Sequence, residues 1–169
     1  MRNNGKPIIA AVNGYAIGGG NELALLCDLI IASDRAQFGQ VGPRMGSCPV
    51  WFGTQCLPKV IGDKKAREVV YLCRRYTAEE AERMGWINKV VPHEKLYEEV
   101  EAWCKELLER SPQSLRLAKI SLNAETDFLW TTVFHGEFAV NLFYATEEFH
   151  EGCRAFLEKR KPEFYKFRK

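Results

Sequence analysis

Three consecutive glycines followed by a carboxylate are the residues of this sequence whose types and spacing suit chemistry. Residues 17–22 read Ile-Gly-Gly-Gly-Asn-Glu, and good helix formers come directly after them. Glycines at Gly18 and Gly19 let the backbone approach a ligand closely, and the first N–H groups of a helix have no partner within it. Such groups stabilise an oxyanion that develops on a carbonyl oxygen. A tight strand-to-helix junction is the alternative interpretation of the same pattern.

Glu22 follows the last glycine by two positions, within the first turn of the predicted helix. A carboxylate at this point of a helix is stabilised by the helix dipole, which is one interpretation. The other is a general acid or base that moves a proton beside the same carbonyl group. The residue types alone leave both interpretations open.

The elements around this motif are predicted to be a few short strands with helices between them. Apolar runs at residues 7–12 and 29–32 are typical of buried strands, and residues 36–39 form a possible third. Alternation with helices predicts parallel pairing. Two or three strands are too few for a stable sheet, so we expect strands from partner chains or from an upstream segment. Asp63 is predicted to cap a helix over residues 64–73, and Thr77 to form a capping box with Glu80.

The second half of the sequence is predicted to be helical. Residues 94–110 repeat apolar side chains at helical spacing, Pro112 begins another helix, and residues 128–160 read as two more. We therefore expect two segments, residues 1–92 with the glycine motif and residues 93–169 with the helices.

Composition excludes several classes of function. The net charge of +2, from 24 Lys and Arg against 22 Asp and Glu, argues against a nucleic-acid partner. Six scattered cysteines without a Cys-x-x-Cys pair favour a reducing cytoplasm over disulfides or zinc, and the three histidines lack ligand spacing. No apolar run reaches the ~18 residues of a membrane span. We expect a cytoplasmic protein with no bound metal.

The whole sequence resembles the crotonase superfamily, the enoyl-CoA hydratases and isomerases. Residues 6–28, 36–40, 53–58, 62–68 and 78–85 are similar to successive blocks of that family. The resemblance implies an α/β fold, the crotonase ββα spiral, here without its N-terminal strands, and C-terminal helices that build trimers or hexamers. It also implies an acyl-CoA thioester substrate, with CoA as part of the substrate and no separate cofactor.

The resemblance also implies roles for individual residues. Gly19, next to Gly18, matches the glycine whose N–H is one half of the oxyanion hole. Glu22 matches the first of the two catalytic glutamates of the hydratases. The second glutamate falls at Gly42, which has no carboxylate, and this departure argues against simple two-glutamate addition of water.

One stretch resembles a particular branch of the superfamily. Residues 38–47 are similar to 1,4-dihydroxy-2-naphthoyl-CoA synthase and to 2-ketocyclohexanecarboxyl-CoA hydrolase. There, Ser47 matches an active-site serine, Tyr144 matches a tyrosine from the C-terminal helices, and Gln40 with Gly42 matches part of a bicarbonate pocket. The branch's aspartate is replaced by Pro49, and its pocket tryptophan by Val70. A loop-stabilising Ser47 and a core Tyr144 are the alternatives.

These matches imply an enzyme that stabilises a thioester enolate or oxyanion, most similar to an enoyl-CoA hydratase or isomerase. Ring-opening or ring-closing chemistry on a cyclic keto-acyl-CoA is one alternative, and a non-catalytic fragment or scaffold subunit is another. The family carries its second oxyanion N–H upstream of residue 6. We therefore expect this chain alone to be weakly active, because loss of one such donor lowers rates by ~10²–10³.

Overall fold

The computed structural model describes residues 1–168, in which short strands alternate with helices as far as residue 91 and only helices follow. Lys169, at the end of the predicted helical segment, lies outside them. The strands are β1 (Ile9–Val12), β2 (Tyr15–Ile17), β3 (Leu29–Ser33), β4 (Gln37–Gly39), β5 (Arg75–Thr77) and β6 (Lys89–Val91). The helices are α1 (Gly19–Leu25), α2 (Gly53–Ile61), α3 (Asp63–Leu72), α4 (Ala78–Arg83), α5 (Leu96–Leu108), α6 (Pro112–Asp127), α7 (Trp130–Phe143) and α8 (Glu147–Leu157). Single 3₁₀ turns lie at Pro43–Met45, His93–Lys95 and Phe164–Phe167.

The strands form two three-stranded sheets, ordered β1-β3-β6 and β2-β4-β5. Strands β1 to β4 alternate between the two sheets, with α1 after the first pair and α2 and α3 after the second, so this part of the chain climbs as a spiral. All pairs in the first sheet are parallel, as is β2 with β4, and β5 pairs antiparallel with β4. The expected parallel pairing is therefore found except at β5. Six strands are found rather than two or three; residues 87–91, followed by Pro92, were recognisable as a strand, whereas β2 and β5 are too short for a visible apolar pattern.

Trp86 is the centre of the main apolar core, between the sheets and the helices. Its ring lies 5.8 Å from that of Phe38 and 6.1 Å from that of Tyr76, measured between centroids. The indole Nε1 donates a hydrogen bond of 3.0 Å to Oδ1 of the buried Asn21, in α1. This bond fixes the rotation of α1 about its axis, and with it the direction of the neighbouring Glu22.

Two helix starts differ in how well the sequence predicted them. The capping box at Thr77 is confirmed, since its hydroxyl accepts from the N–H of Glu80 while the Glu80 carboxylate accepts from the N–H of Thr77. The prediction that Asp63 caps α3 is wrong. Gly62 takes the cap position with φ 81°, and Asp63 is the first helical residue. Its carboxylate instead pairs with Arg67, one turn later, at 2.9 Å.

Lys119 joins α6 to the spiral. Its ammonium group, 5% exposed, donates to the carbonyl oxygens of Met1 and Lys6 and to the carboxylate of Asp28, at 3.2, 2.9 and 2.7 Å. The same Asp28 oxygen accepts the N–H of Ile8 at 2.7 Å. All three ammonium donors are therefore used, and these contacts, the Lys119 junction, hold α6 against the segment that leads into β1.

The helical region leaves many large apolar side chains exposed. Residues 93–168 form only helices and connecting segments, although the boundary at residue 92 stays a prediction. The exposed apolar residues of α5 to α8 and of the segments joining them include Leu108, Leu117, Ile120, Leu122, Phe128, Phe138, Leu142, Phe156 and Leu157. Among residues 1–168, no helix combines the length and apolar character of a membrane span.

Candidate active site

All seven residues that the sequence singled out line one cleft of about 270 Å³. The start of α1, the loop between β4 and α2, and one face of α7 form its walls. The seven residues are Gly18, Gly19, Glu22, Gln40, Gly42, Ser47 and Tyr144. The fold thus brings together groups from the two halves of the sequence. Their catalytic and binding roles stay predictions.

The glycine motif leaves the beginning of α1 open to the cleft. Gly18 has φ 58°, a left-handed conformation that favours glycine, and its N–H donates to the carbonyl of Gly39 at 3.0 Å. α1 begins with the next residue, and a Cβ at Gly19 would meet no atom within 4 Å. Packing within the protein therefore does not require glycine at position 19. Gly19 is exposed and lines the cleft, and its N–H, which has no acceptor within the helix, is available to a ligand oxygen.

Glu22 is a carboxyl group with a raised pKa. Burial disfavours its charged form and raises its pKa from 4.5 to about 7, while the backbone N–H groups of Trp51 and Gly53 oppose the shift less strongly. Its buried Oε1 forms no hydrogen bond with any residue from 1 to 168. A carboxyl group that is half ionised near neutral pH can both take up and release a proton.

Gln40 lies beside Glu22 and is fully buried, yet neither its Oε1 nor its Nε2 has a partner among the described residues. A Cβ on Gly53 would lie 2.8 Å from both Gln40 Nε2 and Glu22 Oε1. The two atoms are therefore no further apart than twice that distance, a span that one water molecule bridges with two hydrogen bonds of ~2.8 Å. Buried polar groups are almost always hydrogen-bonded, so this space suits a small polar occupant.

Gly42 has no room for a side chain. A Cβ there would lie 2.9 Å from Pro49 Cδ, 2.9 Å from the carbonyl oxygen of Ser47 and 3.1 Å from Cys48 Cα. The loop 47–49 thus occupies the space that a glutamate side chain at position 42 would need. The missing carboxylate is a consequence of how this loop packs.

Ser47 and Tyr144 form a hydroxyl pair across the cleft. Their oxygens lie 3.2 Å apart, and either group can donate. The Tyr144 ring lies 4.4 Å from that of Phe149, between centroids, and the residue is 39% exposed, so it is not a core aromatic. The pair connects the loop after β4 to the end of α7.

Phe52 ties the same loop to the start of α7. This buried residue has φ 66°, a conformation uncommon for a side chain with a Cβ, and it immediately precedes α2. Its ring contacts Trp130 edge-on with centroids 4.8 Å apart. Trp51 and Gly53, on either side of Phe52, supply the N–H groups near Glu22. The packing of Phe52 therefore helps to hold these amides in place.

Comparison with known proteins assigns the chain to a family. The sequence profile described as enoyl-CoA hydratase/isomerase matches residues 1–167. The chain belongs to this family. Its fold is crotonase-like, as the resemblance implied.

Solved structures of family members superimpose closely on the chain. A carnitinyl-CoA hydratase from Mycobacterium avium is 33% identical with a TM-score of 0.89, over 94% of this chain and 62% of that one. An enoyl-CoA hydratase subunit I from Geobacillus kaustophilus is 44% identical with a TM-score of 0.72, over 96% of this chain and 64% of that one. An enoyl-CoA hydratase from Mycobacterium avium subsp. paratuberculosis is 27% identical with a TM-score of 0.92, over 97% and 67%. The chain spans under two thirds of the length of the first two.

Sequence reasoning missed two polar residues of the cleft, Glu137 and Asn141 on α7. They precede Tyr144 by seven and three positions, a spacing that places all three on one helix face. Because Tyr144 is a candidate site residue, this helical spacing could have pointed to Glu137 and Asn141 from the sequence. No group of three His, Cys, Asp or Glu side chains within residues 1–168 is arranged to hold a metal ion.

Proposed function

We propose that this chain carries the acid–base site of an enzyme that adds water to the double bond of an enoyl-CoA thioester. The observation that carries this proposal is the set of three buried polar atoms without partners, Glu22 Oε1 and both amide atoms of Gln40. Glu22 Oε1 and Gln40 Nε2 lie close to each other beside Gly53, within the span that one water molecule bridges. A water molecule there has hydrogen-bonding groups on two sides.

The thioester carbonyl is proposed to bind at the start of α1. Its oxygen accepts a hydrogen bond from the N–H of Gly19, a residue that lines the cleft. Negative charge grows on this oxygen when a nucleophile attacks the β-carbon, so a fixed N–H donor stabilises the enolate more than the substrate. The acyl carbons then extend over Glu22, one helical turn further along α1.

Glu22 is proposed to act as both base and acid in the addition. In its ionised form it takes a proton from the water held with Gln40, while the water oxygen bonds to the β-carbon and the double-bond electrons move to the thioester oxygen. The protonated Glu22 then returns the proton to the α-carbon as the carbonyl re-forms. A pKa of about 7 suits both steps, and the net reaction is addition of one water.

Turnover of crotonyl-CoA by the purified protein tests this proposal, with loss of the enoyl-thioester absorbance as the signal. Glu22→Gln should lower kcat by ~10²–10⁴, the usual contribution of a general acid–base group. Glu101→Gln, at an exposed position of α5, is the matched control and should leave kcat unchanged. An undiminished rate in Glu22→Gln would refute the acid–base role.

Opening of a cyclic keto-acyl-CoA is a second candidate function, and the Ser47–Tyr144 hydroxyl pair favours it. Attack of water on the ring ketone would break a carbon–carbon bond and leave the same enolate at Gly19, which is then protonated. Incubation with a 2-ketocyclohexanecarboxyl-CoA probe distinguishes the two functions. Turnover of the ring substrate alone, lost in Ser47→Ala, would replace hydration as the assignment.

A non-catalytic scaffold subunit is the third possibility, and the same assays distinguish it from both enzymes. A scaffold subunit would bind CoA thioesters without converting either probe, and Glu22→Gln would then change no measured rate. Detectable conversion of either thioester by the wild-type chain excludes this reading.

Assembly of several copies through α5 to α8 is part of the proposal. The exposed apolar side chains of this region are numerous for a protein surface, and helices that bury such faces commonly form symmetric oligomers. We expect a trimer, or a hexamer of two trimers. Sedimentation velocity measures the mass directly, and a monomer at micromolar concentration would contradict this expectation.

A further inference from the structure

Glu137 is a carboxylate of the cleft that the proposed chemistry does not use. It lies on the α7 wall, is half-buried, and forms no hydrogen bond or ion pair with any residue from 1 to 168. Asn141, one turn further along α7, is exposed at the same cleft, and its side chain likewise has no protein partner within this range. A carboxylate and an amide without partners thus share one wall of the cleft.

Packing around Gly136 holds this wall close to the facing loop. A Cβ at Gly136 would lie 3.0 Å from Val50 Cβ and 3.1 Å from Val50 Cγ1, so the α7 backbone and the loop are in tight contact there. The edge-on contact of Phe52 with Trp130 adds a second attachment six residues earlier on α7. Glu137 directly follows the contacting glycine, so its position relative to the loop is fixed.

The chemistry of the two side chains defines what they can bind. A carboxylate accepts hydrogen bonds and repels anions, whereas an amide both donates and accepts. A hydroxyl group satisfies both, because it donates to Glu137 and accepts from Asn141. An ammonium group would leave the amide donor unmatched, and an acyl chain that ends in a carboxylate would face a like charge. A hydroxyl is therefore the favoured partner.

We propose that Glu137 and Asn141 form a subsite for a hydroxyl group on the acyl chain, so that the substrates are hydroxylated enoyl-CoA thioesters. This inference rests on the proposed function, in which the acyl chain extends over Glu22 within the cleft that Glu137 and Asn141 also line. Simple hydrocarbon acyl groups displace water from these two side chains without replacing its hydrogen bonds. Acidic acyl groups are rejected by the charge of Glu137.

Binding without turnover tests the subsite. Isothermal titration calorimetry on the Glu22→Gln protein compares 4-hydroxycrotonyl-CoA with crotonyl-CoA. We expect the hydroxylated thioester to bind ~10-fold more tightly, the size typical of a hydrogen bond to a charged group. In the Glu22→Gln/Glu137→Leu protein this preference should disappear, whereas adding Glu101→Leu on α5 should leave it intact. Equal affinities for the two thioesters before any change at Glu137 would overturn the subsite.

A second variant keeps the test informative if the Glu137→Leu protein does not fold. Glu137→Gln keeps the shape and an acceptor oxygen but removes the charge, so affinity for glutaconyl-CoA, which carries a carboxylate, should rise ~10-fold. No change in that affinity would also contradict the subsite. Because these measurements need no catalysis, a hydroxyl preference without wild-type turnover would refute the hydration proposal and leave the subsite standing.

Discussion

Two buried polar regions of this molecule differ in how their polar atoms are paired. At the Lys119 junction, the ammonium group donates three hydrogen bonds, and the Asp28 carboxylate accepts a backbone N–H as well. In the cleft, Glu22 Oε1 and both amide atoms of Gln40 have no partner among the described residues. The first region is complete as folded. The second is complete only when something else binds.

This difference separates groups that hold the fold from groups that await a ligand. Leaving a buried donor or acceptor without a partner costs about 1–3 kcal/mol, and function is one reason for which a protein keeps such atoms. Replacement of a polar side chain by methionine should therefore lower the free energy of unfolding at the Lys119 junction and raise it in the cleft. Substitutions in the two regions test this contrast.

Lys119→Met should destabilise the protein most. The substitution removes the cation, so the Asp28 carboxylate and the carbonyl groups of Met1 and Lys6 all lose their hydrogen-bond donor. Loss of one partner of a buried ion pair typically costs ~3–5 kcal/mol. Urea unfolding followed by circular dichroism measures the change. In the double variant with Asp28→Asn, the loss should be smaller than the sum of the single losses, because the two side chains interact. Additive losses would show that they do not.

Gly53→Ala should remove most of the catalytic activity. The added methyl group would lie 2.8 Å from Glu22 Oε1 and from Gln40 Nε2, so both side chains would have to leave the positions in which they are proposed to hold the reacting water. We expect kcat for crotonyl-CoA to fall by ~10², comparable to loss of a general acid–base contribution. Gly14→Ala is the matched control, since a Cβ at Gly14 meets no atom within 4 Å. Full activity in Gly53→Ala would remove the water site.

The pH dependence of stability should differ between wild type and Glu22→Gln. The carboxyl group has a pKa of 4.5 unfolded and about 7 folded, so below pH 4.5 it is protonated in both states. As the pH rises from 4.5 to 7, the unfolded state loses its proton first, and the wild-type free energy of unfolding falls. Above pH 7, Glu22→Gln should be the more stable by ~1–3 kcal/mol, a range that allows for solvent screening of a half-buried group.

The same titration should appear in the activity. Only ionised Glu22 accepts a proton from water, so kcat/KM of the wild type should rise as the pH passes through about 7. Equal stability of the two proteins at pH 5 and pH 8 would show that burial does not perturb this group.

Gln40→Met should have the smallest effect, and of opposite sign to Lys119→Met. The substitution replaces an unpartnered buried amide with an apolar side chain of similar volume, which should raise the free energy of unfolding by ~1 kcal/mol. Turnover should fall at the same time, because the water loses one of its two partners. A loss of stability equal to that of Lys119→Met would show that the two regions do not differ.

Local signals in the sequence were sufficient for several elements of the fold. The Thr77 capping box and the proline at the start of α6 are encoded within one helical turn, and both are found. β2 and β5 were missed because three residues are too few to show an alternating pattern. α2 was missed because it begins at a glycine and contains Pro58, features that normally interrupt helices.

The candidate site was predicted in part, and only where the resemblance named residues. Ser47 and Tyr144 are far apart in sequence, and no local pattern relates them. The absence of a carboxylate at Gly42 is visible in the sequence, but its cause, the close packing of Pro49, depends on the folded loop. Glu137 was missed because a carboxylate on a helix usually faces solvent, and only the position of α7 places it in the cleft.

The Lys119 junction also sets an order of events as the polypeptide is made. Its ammonium group reaches Asp28 across 91 positions and Lys6 across 113, so it closes loops far longer than those between neighbouring strands. Long loops close late, because their entropy must be lost before the contact forms. While the ribosome is still extending the chain towards α6, Asp28 stands without its cation. The spiral can therefore assemble early, but it is locked only after Lys119, in α6, has emerged.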